Sequence, residues 1–105
     1  MTEHCESCHI GMPTLSDAEI KKQLSELLGW SHDANNKLIQ KTYEFKGYYQ
    51  VMAFVNAIAW MAHQEKHHHD LHVSYNKVIV QYQTHEASGV TKNDIICAKL
   101  VEKLM

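Results

Sequence analysis

Arginine is absent from the 105-residue sequence, and the only proline is Pro13. Ten lysines against twelve acidic residues leave a net charge of −2, whereas a dedicated nucleic-acid binder usually carries a basic excess. No secretory signal peptide is recognisable. The longest membrane-like run, residues 47–62, is short for a span and contains Gln50 and Asn56. We therefore expect a globular chain that binds neither nucleic acid nor membrane.

Cysteine is also scarce, with three residues in the whole sequence. An odd number does not form a complete disulfide framework, so we expect a reducing, cytoplasmic location. The pair Cys5-x-x-Cys8 lies in a polar segment that we predict as a flexible N-terminal arm, residues 1–13. It lacks the second ligand pair of a strong zinc motif, so a mobile arm is favoured over a zinc site. Residues 14–105 are the length of a single domain.

Two capping boxes indicate where helices begin. The sequence Ser-Asp-Ala-Glu at 16–19 precedes an apolar stripe and predicts a helix over 16–28. The sequence Thr-Lys-Asn-Asp at 91–94 has the same form, with aspartate in place of glutamate, and predicts the last helix. A third helix, predicted over about 48–67, begins after a glycine.

The segments between these helices alternate apolar and polar residues as strands do. Residues 30–45 are predicted as a hairpin, with Asn35-Asn36 as a turn pair that tolerates positive φ. Residues 71–84 are predicted as a second hairpin, with Asn76-Lys77 as its two-residue turn. The resulting order, α-β-β-α-β-β-α, predicts an α+β fold, a four-stranded antiparallel sheet with helices packed on one face.

The predicted middle helix is apolar on more than one side. Residues 48–62 carry no charge, and beside the main stripe the helix presents Met52 and Trp60. A helix of this kind must be covered on more than one side, and a second copy of a small chain supplies such a cover. We therefore expect a homodimer or homotetramer that assembles through this helix.

Histidine is the abundant residue, with nine copies, five of them between residues 63 and 72. If the middle helix ends there, His67 and His68 can converge on one pocket with His85, which follows the last strand. Such imidazoles are suited to general acid–base chemistry. A solvated helix end and a metal site, built from the i,i+4 pairs that include His63 and His72, remain open from spacing alone. Asp94 is either a site residue or only a helix cap.

From residue 62 to residue 99 the sequence resembles the pterin-4a-carbinolamine dehydratase family, also called 4a-hydroxytetrahydrobiopterin dehydratases, in its bacterial form. The resemblance depends on five short motifs and their spacing: His67-His68, Asp70-Leu71, Tyr75-Asn76-Lys77-Val78, Thr84-His85 and Asn93-Asp94. The family has the same α-β-β-α-β-β-α order.

The resemblance implies that the chain is an enzyme that dehydrates 4a-hydroxytetrahydropterin to quinonoid dihydropterin, recycling the cofactor of aromatic amino-acid hydroxylases without a metal or cofactor of its own. It implies two sets of site residues. The catalytic histidines correspond to His67, His68 and His85. The pterin-binding residues correspond to Lys66, Gln83, Thr84, Glu86 and Asp94.

The family pattern continues His-His-Pro, whereas this sequence has His69. Proline at that position shapes the turn out of the helix, and a fourth imidazole keeps a metal site open as an interpretation. Two alternatives to the dehydratase therefore remain: a non-enzymatic metal-binding protein that uses the histidine cluster, and an interaction module on the same fold.

Overall fold

The computed structural model describes residues 12–65, 67 and 69–105, so the predicted arm lies almost wholly outside the described residues. Three helices and four strands follow the predicted order, with a 3₁₀ turn, His85–Ala87, before the last helix. The helices are α1 (Asp17–Leu24), α2 (Tyr48–Glu65) and α3 (Lys92–Glu102). The strands are β1 (Ser31–Asp33), β2 (Leu38–Glu44), β3 (Asp70–Val73) and β4 (Lys77–Tyr82). The predicted α+β class is confirmed.

The four strands form one antiparallel sheet in the order β1-β2-β4-β3. The last strand, β4, therefore lies between β2 of the first hairpin and β3 of its own. Tyr43 is paired with Val78, and Val80 with Leu71. Alternate residues of β2 and β4 are buried in one core with the helices, as side chains of period two require. The opposite face is polar: the side chains of Gln40, Gln81 and His72 are hydrogen-bonded across it.

Two helices end earlier than the sequence pattern predicted. The capping box at Ser16 and Glu19 is present, but α1 ends at Leu24 rather than at residue 28. The chain then tightens into i→i−3 hydrogen bonds, including Leu27 N–H to the Leu24 carbonyl at 3.0 Å. Leu27 remains buried, so a 3₁₀-like turn preserves the apolar stripe beyond the helix. Helix α2 ends at Glu65 rather than at residue 67.

The first hairpin turns where it was predicted to turn, but by a different mechanism. The side chain of Asp33 accepts hydrogen bonds from the Asn36 backbone N–H at 3.1 Å and from its amide Nδ2 at 2.8 Å. The positive φ falls on Lys37, at 58°, and not on the predicted asparagine pair. The carboxylate of Asp33 therefore closes the turn. The residue in the left-handed conformation is Lys37, directly before β2.

Helix α2 buries one face and exposes another. Val51, Phe54, Ile58 and Met61 are buried against the sheet. On the outer side Tyr49 is 90% exposed and Trp60 is 63% exposed. Although α2 is long and mostly apolar, none of the helices in residues 12–65, 67 and 69–105 is suited to crossing a membrane.

Candidate active site

The connection between α2 and β3 holds the centre of the histidine cluster. Helix α2 ends at Glu65 and β3 begins at Asp70, and His67, which lies between them, is not helical. His67 is 4% exposed. Its imidazole is nearly parallel to the ring of Tyr82, with an interplanar angle of 9° and a centroid distance of 5.9 Å. The ring of His69 lies 6.2 Å from the same tyrosine. Tyr82, the last residue of β4, therefore supports both imidazoles from the sheet.

The imidazole of His67 is paired with a carboxylate that is fully buried. Its Nε2 lies 2.6 Å from Oδ1 of Asp94, and the side chains are 3% and 0% exposed, respectively. Asp94 is the third residue of α3. The N-terminus of a helix favours a negative charge at this position, so α3 stabilises the carboxylate that His67 contacts.

The second oxygen of Asp94 belongs to the helix cap. Oδ2 accepts the backbone N–H of Thr91 at 2.8 Å and the hydroxyl of Thr84 at 2.9 Å. The sequence left two roles open for Asp94, a cap or a site residue. Oδ2 closes the capping box, whereas Oδ1 contacts the imidazole of His67.

We call the group formed by His67, Thr84, Thr91 and Asp94 the Asp94 network. Oδ2 of Asp94 accepts from a hydroxyl and a backbone N–H, as an ionised carboxylate does. With an ionised Asp94, Nε2 of His67 carries the hydrogen of the 2.6 Å contact, as in other sites where a carboxylate orients a histidine.

Thr84 owes its position to a turn that returns the chain towards α3. It forms an isolated antiparallel bridge with Gly89, in which Thr84 N–H donates to the Gly89 carbonyl at 2.9 Å. A Cβ added to Gly89 would lie 3.0 Å from Thr14 Cγ2, so a larger side chain would push the turn against the segment before α1. Thr84 was predicted to bind the pterin, but its hydroxyl is engaged by Asp94 and Thr91.

The other predicted site residues are not part of the Asp94 network. His85 and Glu86 are exposed on the 3₁₀ turn directly after Thr84, so His85 follows a member of the Asp94 network in the sequence. The amide Nε2 of Gln83 lies 3.5 Å from the carbonyls of Asn36 and Lys37 in the first hairpin turn. Lys66 and His68 lie outside the described residues.

Of the two i,i+4 histidine pairs that kept a metal site open, only His63 and His67 lie wholly within the described residues. His63 is an exposed residue of α2 whose ring lies 5.8 Å from that of Trp60, but α2 ends before His67. His72 is on β3, where its Nε2 lies 3.2 Å from Oε1 of Gln81 on the polar face of the sheet. The pair His63 and His67 therefore does not have i,i+4 helical geometry, and the pair His68 and His72 includes a residue that lies outside the described ones.

Sequence reasoning missed two contributors to this region. Tyr82 was predicted only as an inward residue of a strand, and Thr91 only as a helix cap. The available signal was their spacing: Tyr82 precedes Thr84 by two residues, which places both side chains on one side of the extended chain. Thr91 precedes the candidate carboxylate by three residues, the capping-box distance.

Comparisons with known proteins agree on one family. The family model described as pterin 4 alpha carbinolamine dehydratase matches residues 13–104. A protein of Nitrosospira multiformis named "Putative pterin-4-alpha-carbinolamine dehydratase" is 47% identical over 103 residues, which cover 98% of this chain and 89% of the relative. A protein of Legionella pneumophila with the same name is 44% identical, covering 99% and 93%.

A solved structure is similar as well. The crystal structure described as a transcriptional coactivator/pterin dehydratase from Brucella melitensis superposes with a TM-score of 0.83 at 28% sequence identity. The match covers 88% of this chain and 98% of that one.

Proposed function

Because this chain belongs to the pterin 4 alpha carbinolamine dehydratase family, we propose that it dehydrates 4a-hydroxytetrahydropterins. The hydroxyl on C4a leaves as water, N5 loses a proton, and the product is quinonoid dihydropterin. This reaction would recycle the pterin cofactor of aromatic amino-acid hydroxylases. The observation that carries the proposal is the contact of 2.6 Å between the buried His67 imidazole and Asp94.

The reaction needs an acid and a base close to one another. The C4a hydroxyl is a poor leaving group until it is protonated, and an imidazolium can supply that proton, while a neutral imidazole can accept the proton from N5. Asp94 orients His67 so that Nδ1 is the nitrogen that exchanges a proton. His85, exposed next to Thr84, is the second proposed catalytic histidine, and His68 is the third. Proton transfers of this kind contribute about 10²–10⁴-fold.

The test is the rate at which 4a-hydroxytetrahydropterin disappears when the purified protein is added. We expect His67→Ala to lower kcat/KM by at least about 10²-fold. His72→Ala is the matched control, since His72 belongs to the same sequence cluster but lies on the polar face of the sheet, and it should retain wild-type activity. Activity should also survive exhaustive chelation. Activity lost on chelation and restored by zinc would instead favour metal chemistry.

We also propose that a second copy of the chain covers the outer face of α2. Tyr49 and Trp60 are largely exposed there, and the helix carries no charged side chain from Tyr48 to Ala62. Beside this face a groove of about 430 Å³ lies between α2 and the C-terminus. It is lined mainly by apolar residues, among them Ala53, Phe54, Ala57 and Leu104. An uncharged face with exposed aromatic side chains is typical of an interface between protein chains.

Sedimentation of Trp60→Lys tests this assembly. A lysine in an apolar interface is an unpaired buried charge, which costs several kcal/mol, so the variant should dissociate at concentrations where the wild type is oligomeric. Leu28→Lys is the control, because Leu28 is 90% exposed but lies outside α2. A wild-type protein that remains monomeric at high micromolar concentration would contradict the proposal.

A further inference from the structure

The capping threonine of α3 is joined to the candidate catalytic pair through a second threonine. Oγ1 of Thr91 lies 2.8 Å from Oγ1 of Thr84, and Thr84 in turn donates to Oδ2 of Asp94 at 2.9 Å. Thr84, Thr91 and Asp94 are all nearly inaccessible, with exposures of 1%, 0% and 0%. Water therefore does not compete for these hydrogen bonds, and their directions are set by the protein alone.

The number of hydrogens determines the direction of every bond in this chain. A threonine hydroxyl has one hydrogen, and that of Thr84 is given to Asp94. Thr91 must therefore donate its own hydrogen to Thr84. Oγ1 of Thr91 is also an acceptor, since it takes the backbone N–H of Asn93 at 3.3 Å. The chain thus begins at a backbone N–H in the first turn of α3 and ends at the carboxylate that His67 contacts.

We propose that Thr91 acts, together with Thr84, as a positioning residue for the dehydration: this one-way chain of hydrogen bonds keeps Asp94 an acceptor and so holds the hydrogen of His67 at Nε2. The proposal rests on the proposed function. If the Thr91 hydroxyl is removed, Thr84 loses its donor and is free to turn its own hydrogen away from Asp94. The carboxylate then keeps fewer donors and competes more strongly for the hydrogen on Nε2.

A set of three variants separates this role from helix capping. Thr91→Val removes the hydroxyl but keeps the shape of the side chain, and Thr91→Ser keeps the hydroxyl. Ser16→Ala removes the cap of α1, which has the same capping-box geometry but no contact with Asp94. We expect Thr91→Val to lower kcat by roughly three- to tenfold, the value of one hydrogen bond, with KM changed by less than about twofold. Thr91→Ser and Ser16→Ala should keep wild-type kcat.

The nitrogen resonances of His67 provide a readout that does not depend on turnover. In the wild type, ¹⁵N NMR should show hydrogen on Nε2, with its ¹H signal shifted strongly downfield by the short contact with Asp94. Thr91→Val should move that signal, while Ser16→Ala should leave it in place. If Thr91→Val does not fold, a measurement on the wild type still tests the hydrogen-bond chain. The hydroxyl protons of Thr84 and Thr91 should exchange slowly with solvent.

The possible results distinguish the two proposals. An active wild type with equal kcat in Thr91→Val and Ser16→Ala would overturn the positioning role and leave the dehydratase function intact. A wild type without dehydratase activity would overturn the proposed function, and the His67 resonances would then decide whether the hydrogen-bond chain exists. Rapidly exchanging hydroxyl protons in the wild type would overturn the chain itself.

Discussion

Two carboxylates at opposite ends of α3 each contact three hydrogen-bonding groups, but the chemical types of these groups differ. Asp94, in the first turn, is fully buried and accepts from a hydroxyl, a backbone N–H and the imidazole of His67. Glu102, the last residue of α3, has a side chain that is 31% exposed. It accepts from Lys41, Tyr43 and Trp30, which together with Glu102 we call the Glu102 network.

The donors of the Glu102 network join three parts of the chain. Lys41 Nζ lies 2.7 Å from Oε1 of Glu102 and also donates to the carbonyl of Leu28 at 2.8 Å. Trp30 Nε1 donates to the same oxygen at 3.0 Å, as does the hydroxyl of Tyr43. The network therefore ties the end of α3 to β2 and to the segment between α1 and β1.

The helix dipole explains why the two networks need different donors. The N-terminus of α3 stabilises the charge of Asp94, so neutral donors are sufficient there, and one of them can be an imidazole. The C-terminus opposes the charge of Glu102, and the ammonium group of Lys41 offsets that repulsion. We infer that the first carboxylate is available for proton chemistry, whereas the second stabilises the fold.

The largest effect is expected from removing the charge of Asp94. In Asp94→Asn the side-chain amide keeps its shape but cannot accept from Thr84, Thr91 and His67 together, so the orientation of the imidazole is lost. We expect kcat/KM for the dehydration to fall by on the order of 10²-fold. Glu102→Gln is the matched substitution at the other end of the helix, and its kcat/KM should stay within about twofold of the wild type.

Steady-state kinetics of both variants, at a temperature where each is folded by circular dichroism, decide the comparison. Equal losses in the two variants would show that the effect on catalysis is not specific to the Asp94 end of α3. A large loss in Glu102→Gln alone would reverse the roles that we assign to the two ends of α3.

A smaller effect is expected in the Glu102 network, where Glu102→Gln should lower the free energy of unfolding. Glu102→Gln leaves Lys41 without its anionic partner and weakens the hydrogen bonds from Trp30 and Tyr43. Losing charge-assisted hydrogen bonds at a partly buried site costs about 1–3 kcal/mol. Urea unfolding followed by circular dichroism should show a lower midpoint with an unchanged slope. An unchanged midpoint would show that the network adds nothing to the free energy of unfolding.

The pH dependence of that loss gives a sharper version of the same test. Partial burial alone would raise the pKa of Glu102, but hydrogen bonds from Lys41, Tyr43 and Trp30 outweigh it and hold the pKa below its ordinary value. A lowered folded-state pKa stabilises the protein above the unfolded-state value of about 4.3 and loses this contribution as the pH falls through the folded-state value. The difference in unfolding free energy between wild type and Glu102→Gln should therefore shrink on acidification.

Other carboxyl groups do not obscure this difference. The pKa of Glu19 is lowered by hydrogen bonds with Ser16, and that of Asp33 by hydrogen bonds from Asn36. Both groups are present in wild type and in Glu102→Gln, so their contributions cancel when the two unfolding curves are compared at each pH. A difference that stays constant from neutral pH to pH 3 would contradict the assignment to Glu102.

The sequence predicted the elements and members of the Asp94 network better than it predicted the Glu102 network. The capping box identified Asp94 and the start of α3, because that motif is local and its spacing is fixed. Lys41 lies on the inward side of a strand, between Ile39 and Tyr43, where the alternating pattern expects an apolar residue. Its partner Glu102 is 61 residues away. No local pattern predicts such a pair, because it depends on how the sheet and α3 pack.

The sequence pattern also did not predict the residue at which α2 ends. The reason is physical, and the test of it has the smallest expected effect. The histidines at 67–69 continue a helical sequence without a proline or glycine to stop it, and the prediction accordingly ran to residue 67. In the structure α2 ends at Glu65 and the imidazole of His67 turns inward to Asp94. The buried contact between His67 and Asp94 and the ring of Tyr82 thus replace the proline that the family pattern places at residue 69.

His69→Pro tests whether that replacement is complete. Because α2 has already ended four residues earlier, a proline at 69 does not interrupt a helix, and it restricts the unfolded chain. The variant should fold, keep the His67–Asp94 contact and dehydrate the pterin within about twofold of the wild-type rate. The ring contact between His69 and Tyr82, at 6.2 Å, would be lost, so a slower variant with an intact fold would show that this imidazole supports His67. A variant that fails to fold would show that the backbone at residue 69 cannot adopt the proline conformation, and the departure from the family pattern would then be a structural requirement of this chain.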